Sequence, residues 1–463
     1  MSANIDIKGG FLAPRNLFFP NLRVTKLLLL AGACPNSKTN CIGSAPPLGV
    51  AAWTGCLQFV RLLLEHGADP NIENDHGRTP ISLAAEAGHV VVLELLYESG
   101  ADIVKMDHAG FAPVVHAAKN AQTECVDFLL SREHVQGAKK TLTTQVLVHS
   151  AAANNFQLVD IMLNYASYQP VAEFQCRINS TDTLLGESAL TMAVQFGNDH
   201  MARHLVENYN ADVNFPNEQN FSPLAVASKF GHPECVEYLL SLAAHADITN
   251  SDGKTALMMA AQNGHAVCCQ LLVDHGVQIE TVDSEGMSAL SWACLKGHRQ
   301  AAQVLITAGA NLNMVDRVGR NLLHLAAISG DSATVSLLLS RGVDQFQYDS
   351  ANMRPLERAI SARNADVSLL LLRSGTKPEG TSWALAADRS DLLFLLLHRT
   401  LEDGNKFYKS EDIEKASELY KLGLSRFQVQ LLTSGLENAA ELKVSHIICY
   451  IWPIYYFFGL PWS

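Results

Sequence analysis

Few residues in this sequence stand at spacings that could do chemistry. GKT at Gly253–Thr255 has the end of a phosphate-cradling loop, but such a loop needs a further glycine at position 248, and isoleucine stands there. His89, His232, His265 and His298 each follow a glycine at a recurring position, which ties them to a repeat rather than to a metal. No HExxH pair and no CxxC pair occurs, so neither a catalytic zinc nor a zinc ribbon is expected. No GxSxG elbow or cysteine–histidine family signature marks a nucleophile. The ten cysteines lack a framework, and Cys125, Cys235 and Cys294 fall inside apolar helical patterns. They read as buried free thiols of a reducing compartment, and adjacent Cys268 and Cys269 are not expected to bridge. Asn179 and Asn220 begin glycosylation-type triplets, which a cytosolic chain leaves unmodified. The expectation is a protein without catalytic residues, cofactor or metal.

Composition points the same way. Of 463 residues, 48% are hydrophobic and 17% charged, which excludes a disordered chain. A net charge of −12, without any basic stripe, argues against nucleic acid. The start, MSANIDIKGG, lacks the charged and apolar blocks of a secretory signal.

The elements that position these residues recur with a fixed period. Gly77, Gly110, Gly186, Asn220, Gly253, Gly286, Gly319 and Asn352 lie 33 or 34 residues apart, apart from one gap of 76 between Gly110 and Gly186. The words around them agree: GRTPISLAAEAGH from Gly77, GKTALMMAAQNGH from Gly253, GMSALSWACLKGH from Gly286. Glycine or asparagine suits a turn at positive φ. Thr79, Ser222, Thr255 and Ser288 are expected to cap a first helix by accepting a backbone N–H. Pro80 and Pro223 suit its first turn. Pairs such as Ala84-Ala85 and Ala260-Ala261 let helices approach closely. Gly88, Gly231, Gly264 and Gly297 are expected to end the helix in a left-handed conformation. A second, leucine-rich helix follows each time. This pattern resembles the ankyrin repeat and implies an all-α solenoid of about ten helix pairs.

The divisions follow from the words. Residues 1–20 form an N-terminal extension, and 21–400 form the ankyrin solenoid, beginning with a partial unit at 27–36 and APPLGVAAWTG at 45–55. The stretch 134–185 is degenerate, with a helix pair at 146–166 and a long loop at 167–185. A short capping unit is expected at 380–397. From Leu401 the grammar changes. Gly404, Phe407, Ala416 and Tyr420 take the spacing of one tetratricopeptide repeat, assigned to 401–445. The aromatic tail, 446–463, is interrupted by Pro453 and too short to span a membrane, so it reads as an atypical chain end.

Ankyrin words followed directly by a tetratricopeptide word narrow the resemblance. So do INSTDTLLGESALT (178–191), MSALSWACLKGH (287–298) and NMRPLERAISARN (352–364). Over residues 21–445 the chain resembles the TANC family, which includes the insect rolling pebbles (antisocial) protein. The resemblance implies a large intracellular scaffold at the postsynaptic density or, in insects, one that joins adhesion receptors to the cytoskeleton during myoblast fusion. It implies protein partners such as adhesion-receptor tails and cytoskeletal or signalling scaffolds, and a cytoplasmic or cortical location. Family members also carry an ATPase-like region and a full tetratricopeptide array. The alternative is a targeting subunit that delivers an associated enzyme.

On an ankyrin frame the hairpin tips and the outward side of the first helix line a concave face. The repeat register puts His76, Arg78, Glu86, Lys254, Gln262, Asn263, Met287, Lys296 and Arg320 there, as candidate protein-binding residues.

Overall fold

The computed structural model describes residues 22–38, 43–132, 139–168, 178–387 and 389–433. The extension 1–20 and the aromatic tail lie outside the described residues. The chain divides into two units, 1–251 and 252–463. Among the described residues there are only helices, turns and one isolated bridge between Val315 and Asn321.

The first unit holds α1 (Leu22–Leu30), α2 (Pro47–Thr54), α3 (Leu57–Glu65), α4 (Pro80–Ala87), α5 (Val90–Glu98), α6 (Pro113–Lys119), α7 (Thr123–Leu130), α8 (Lys139–Ala152), α9 (Phe156–Tyr168), α10 (Ala189–Gln195), α11 (Asp199–Tyr209), α12 (Pro223–Phe230) and α13 (Pro233–Ser241). Its even-numbered helices from α2 to α12 pack one on the next as an inner row, and each is backed by the helix that follows it.

The second unit holds α14 (Ala256–Gln262), α15 (Ala266–Asp274), α16 (Ala289–Lys296), α17 (Arg299–Thr307), α18 (Leu322–Ser329), α19 (Ser332–Ser340), α20 (Pro355–Ser361), α21 (Ala365–Arg373), α22 (Gly380–Ala386), α23 (Ser390–Lys409) and α24 (Ile413–Thr433). Here α14, α16, α18, α20 and α22 form the inner row. Each unit is thus an all-α solenoid of helix pairs.

Local chemistry sets the element lengths. The inner helices open on Pro47, Pro80, Pro113, Pro223 or Pro355, or on a polar cap. Ser222, Thr255 and Ser288 accept backbone N–H groups as expected. Thr79 does not: its hydroxyl meets that of Ser82 at 3.0 Å, and no backbone N–H reaches it. Ala84, Ala85, Ala260 and Ala261 are fully buried where inner helices meet. A methyl group at Gly55 would lie 2.6 Å from the His89 ring, and Gly55 has a φ of 75°. The glycine closing one inner helix thus makes room for the histidine that opens the outer helix of the next pair. That histidine donates from Nε2 to the Trp53 carbonyl, 3.1 Å away, and His232 does the same to Gln195. Asn198 and Asn364 replace it elsewhere, each reaching two carbonyls of the preceding pair.

Two expectations on boundaries change. The helix pair expected at 146–166 begins earlier, since α8 starts at Lys139. The division between residues 400 and 401 falls inside α23, which runs unbroken from Ser390 to Lys409. No glycine turn, proline or cap interrupts it, and Arg399 pairs with Glu402 at 3.5 Å and with Asp403 at 3.3 Å across the junction. Beyond it α24 packs on α23, with Tyr420 3% exposed against Gly404, where any side chain would clash. Ala416 is also buried there.

Candidate protein-docking surface

Each repeat presents a finger, the hairpin that precedes its inner helix. A buried Asx side chain holds the finger in shape. Asn74, Asp107, Asp283, Asp316 and Asp349 each accept the backbone N–H groups two and four residues on, at 2.8–3.0 Å. These side chains are 4–8% exposed at the residue level. Single backbone hydrogen bonds link successive fingers, as from His108 N–H to His76 in the first unit and from Ser350 N–H to Val318 in the second.

The outer oxygen of each of these four aspartates takes a second donor. Nine residues on, His116 meets Asp107 at 2.9 Å, the Trp292 indole donates to Asp283 at 2.8 Å, and Arg358 donates to Asp349 at 2.6 Å. Arg320 serves Asp316 at 2.6 Å from the finger itself. These acids were not among the residues expected from the sequence, although an acid or amide three residues before the turn glycine recurs as regularly as the glycine does.

A second relation ties the finger tip to the end of the inner helix, eight residues away. Arg78 pairs with Glu86 at 2.7 Å. Lys119 lies 3.9 Å over the Phe111 ring, and Lys229 lies 5.3 Å over Phe221. Lys254 donates to Gln262 at 3.1 Å and also covers the Trp292 ring at 3.9 Å. The pairs keep one geometry and change chemistry from repeat to repeat, so the frame is constant and the surface it offers is not.

The sequence-predicted residues therefore divide. His76, Asn263 and Lys296 are exposed. Arg78 with Glu86, and Lys254 with Gln262, are half-buried pairs, and Arg320 is held by Asp316. Met287 is a correction: it is fully buried and offers no surface. At this rung the arginine side chains stay only 24–31% exposed, so neighbouring fingers already cover most of the position. A methionine has no charge to keep in water and turns wholly inward.

The cleft that the structure does show was not predicted. It lies in the first unit and measures about 450 Å³. Phe111, Lys119, His149, Glu187, Met192 and Phe196 are among its walls, brought there by α6, α8 and α10. Phe111 meets the His149 ring edge-on at 5.4 Å. Phe196 and Leu185 are 56% and 41% exposed. Burial pushes His149 down to about 4, assisted by the charge of Lys119. His116 is also lowered, by burial first and then by Arg78, against the pull of Asp107.

Features that mimic catalysis have structural partners. His204 and Tyr209 both bond Asp160, at 2.6 and 2.7 Å, and Asn208 occupies the other His204 nitrogen. They join α9 to α11. Among the described residues no three His, Cys, Asp or Glu side chains converge as a metal site, and no helix is long and apolar enough to cross a membrane. Cys125, Cys235, Cys268, Cys269 and Cys294 are buried free thiols.

With this frame in view the comparisons are decisive on family. The profile "Ankyrin repeats (3 copies)" matches residues 17–107, 148–252, 241–316 and 305–381. The chain belongs to the ankyrin-repeat family. It is 41% identical over 68 residues to the human protein phosphatase 1 regulatory subunit 27, which is 15% of this chain and 44% of that relative. The mouse counterpart is 40% identical over 76 residues, 16% of this chain and 49% of the relative. Human transient receptor potential cation channel subfamily A member 1 is 25% identical over 266 residues, 50% of this chain and 23% of the relative. The chain thus spans less than half the length of the curated relatives it matches. Ankyrin repeats serve protein–protein interaction.

Proposed function

We propose that this protein is an adaptor that binds other proteins through its finger tips and inner helices, without turnover. The observation that carries the reading is the finger-to-helix pair: salt bridge, cation–π contact or amide bond on an unchanging frame. A surface whose scaffold is fixed and whose chemistry varies by repeat suits selective docking. The words at 178–191, 287–298 and 352–364, with Gly404 and Tyr420 packed between α23 and α24, support a TANC-like scaffold at the cell cortex, at junctions or at the postsynaptic density. Its partners would be adhesion-receptor tails and cytoskeletal or signalling scaffolds.

A second reading is favoured by the similarity to a phosphatase regulatory subunit. In it the array delivers a catalytic partner to substrate. Proximity labelling with the full chain in cells separates the two. Recovery of receptor tails and cytoskeletal proteins supports the scaffold. A phosphatase catalytic subunit that co-purifies in equal amount overturns it in favour of targeting.

A further inference from the structure

The cleft in the first unit lies where one repeat fails to satisfy itself. In the other aspartate fingers an internal donor reaches the outer carboxylate oxygen: His116, Trp292, Arg320 or Arg358. The finger of Asp182 is one residue longer, and Gly186 N–H bonds back to the Asp182 carbonyl at 2.7 Å. The residue matching His116, Trp292 and Arg358 is then Met192, which has no proton to give. The finger-tip position, arginine in Arg78 and Arg320, is Glu187. The outcome is two buried carboxylate oxygens without hydrogen-bond partners, Asp182 Oδ2 and Glu187 Oε2. At its other oxygen Glu187 accepts from the Asn217 amide at 2.8 Å. Across the cleft His149, 4% exposed, also leaves Nε2 without a partner. Unmet polar atoms accumulate here; with its proton on Nδ1 the neutral His149 ring offers Nε2 as a third acceptor, and a buried acceptor left unmet is costly.

We propose that this cleft receives an arginine side chain of a partner protein. The guanidinium donates in two directions, to Glu187 Oε2 and to neutral His149 Nε2, and its flat face lies against Phe111 and Phe196. The cleft's walls carry one cation, Lys119, and one carboxylate, Glu187, so an incoming guanidinium takes the place of Lys119 beside Glu187 rather than adding to it. Lys119, itself over Phe111, is exposed and moves to solvent at little cost. A lysine would offer one point charge, whereas a planar guanidinium can donate to a carboxylate and lie flat on an aromatic ring at once.

The inference rests on the protein-binding reading and is tested apart from it. A random twelve-residue peptide library displayed on phage is selected against the full chain. The expected peptides share an arginine, and citrulline in its place weakens binding about tenfold or more. Glu187→Gln in the chain is expected to weaken binding equally. Met192→Arg, which restores the donor that Arg358 supplies elsewhere, is expected to abolish binding and raise the unfolding midpoint. If Met192→Arg fails to fold, Glu187→Gln still decides. Peptides that bind without arginine and ignore Glu187→Gln overturn the arginine receptor but leave docking intact. A library that yields no binder overturns the receptor and counts against docking on these repeats altogether.

Discussion

The fingers of the second unit are closed circuits, while the finger of Asp182 in the first is an open one. Asp283 holds Trp292, Lys254 covers that ring, and Gln262 holds Lys254. Asp349 holds Arg358 through two nitrogens, at 2.6 and 2.5 Å. Around Asp182 the same rungs end on unpaired oxygens and on an unpaired imidazole nitrogen. The backbone frame is common to both, so the difference comes from a few side chains and one inserted residue. It shows how a repeat protein can give up local stability at one rung without altering the fold, because each repeat leans chiefly on its neighbours.

The largest test of this contrast removes the two aspartates. Asp349→Ala strands the buried end of Arg358 and frees two backbone N–H groups. A loss of about 3–5 kcal/mol is expected. Asp182→Ala removes one ordinary bond to Leu184 N–H and an oxygen that satisfies nothing. Its expected cost is about 1 kcal/mol. Urea unfolding of both variants checks the ranking, and equal losses would show the Asp182 finger to be as tightly tied as the others.

Acid offers the next test. His149 is held near 4, below the ordinary histidine value of about 6.5, by burial first and by the nearby cations second. The unfolded chain therefore binds the proton more readily, and stability falls as pH drops from about 6.5 toward 4. Up to roughly 3 kcal/mol of the first unit's stability is at stake. His116 is depressed in the same unit, and in the second unit His324 is lowered too, by burial against the Met353 carbonyl that raises it. Hydrogen exchange at pH 7 and pH 5 is expected to show protection lost first in α6, α8 and α10. Loss of equal size in α14, α16 and α18 would contradict this asymmetry.

How legible this was in the sequence depends on what repeats. The period, the caps and the left-handed turns follow from backbone geometry, which every copy must obey, so Gly77 and Asn220 announce them equally. The His324 contact with the next finger, at the Met353 carbonyl 2.9 Å away, follows from the same register. The cleft was hidden because it arises from departures from the register. Phe111 reads as one finger-tip variant, His149 lies on the atypically long α8, and the extra residue in the Asp182 finger shifts Met192 off the nine-residue spacing. Met287 failed for a related reason, since register gives the position of a side chain and not the direction an uncharged one takes. The division at residue 400 lies within α23, since a change of sequence grammar does not require a break in a helix.

The smallest effect uses the thiols as internal clocks. Burial pushes Cys125 on α7 up to about 11 and Cys269 on α15 up to about 12, and it raises Cys294 on α16 as well. In native protein near pH 8 these groups are almost wholly protonated and sterically covered, so among the cysteines of the described residues iodoacetamide is expected to reach exposed Cys34 first and half-buried Cys56 next. Labelling of the buried thiols then reports opening rather than intrinsic reactivity. As urea is raised, Cys125, whose helix backs α6 at the wall of the cleft, should label before Cys294, whose helix carries the closed circuit of Trp292 and Asp283. The reverse order would place the weaker packing in the second unit, and the unpaired oxygens near Asp182 would then have to be compensated by the apolar contacts of α8 and α10, where Val146, Leu147 and Val194 are fully buried.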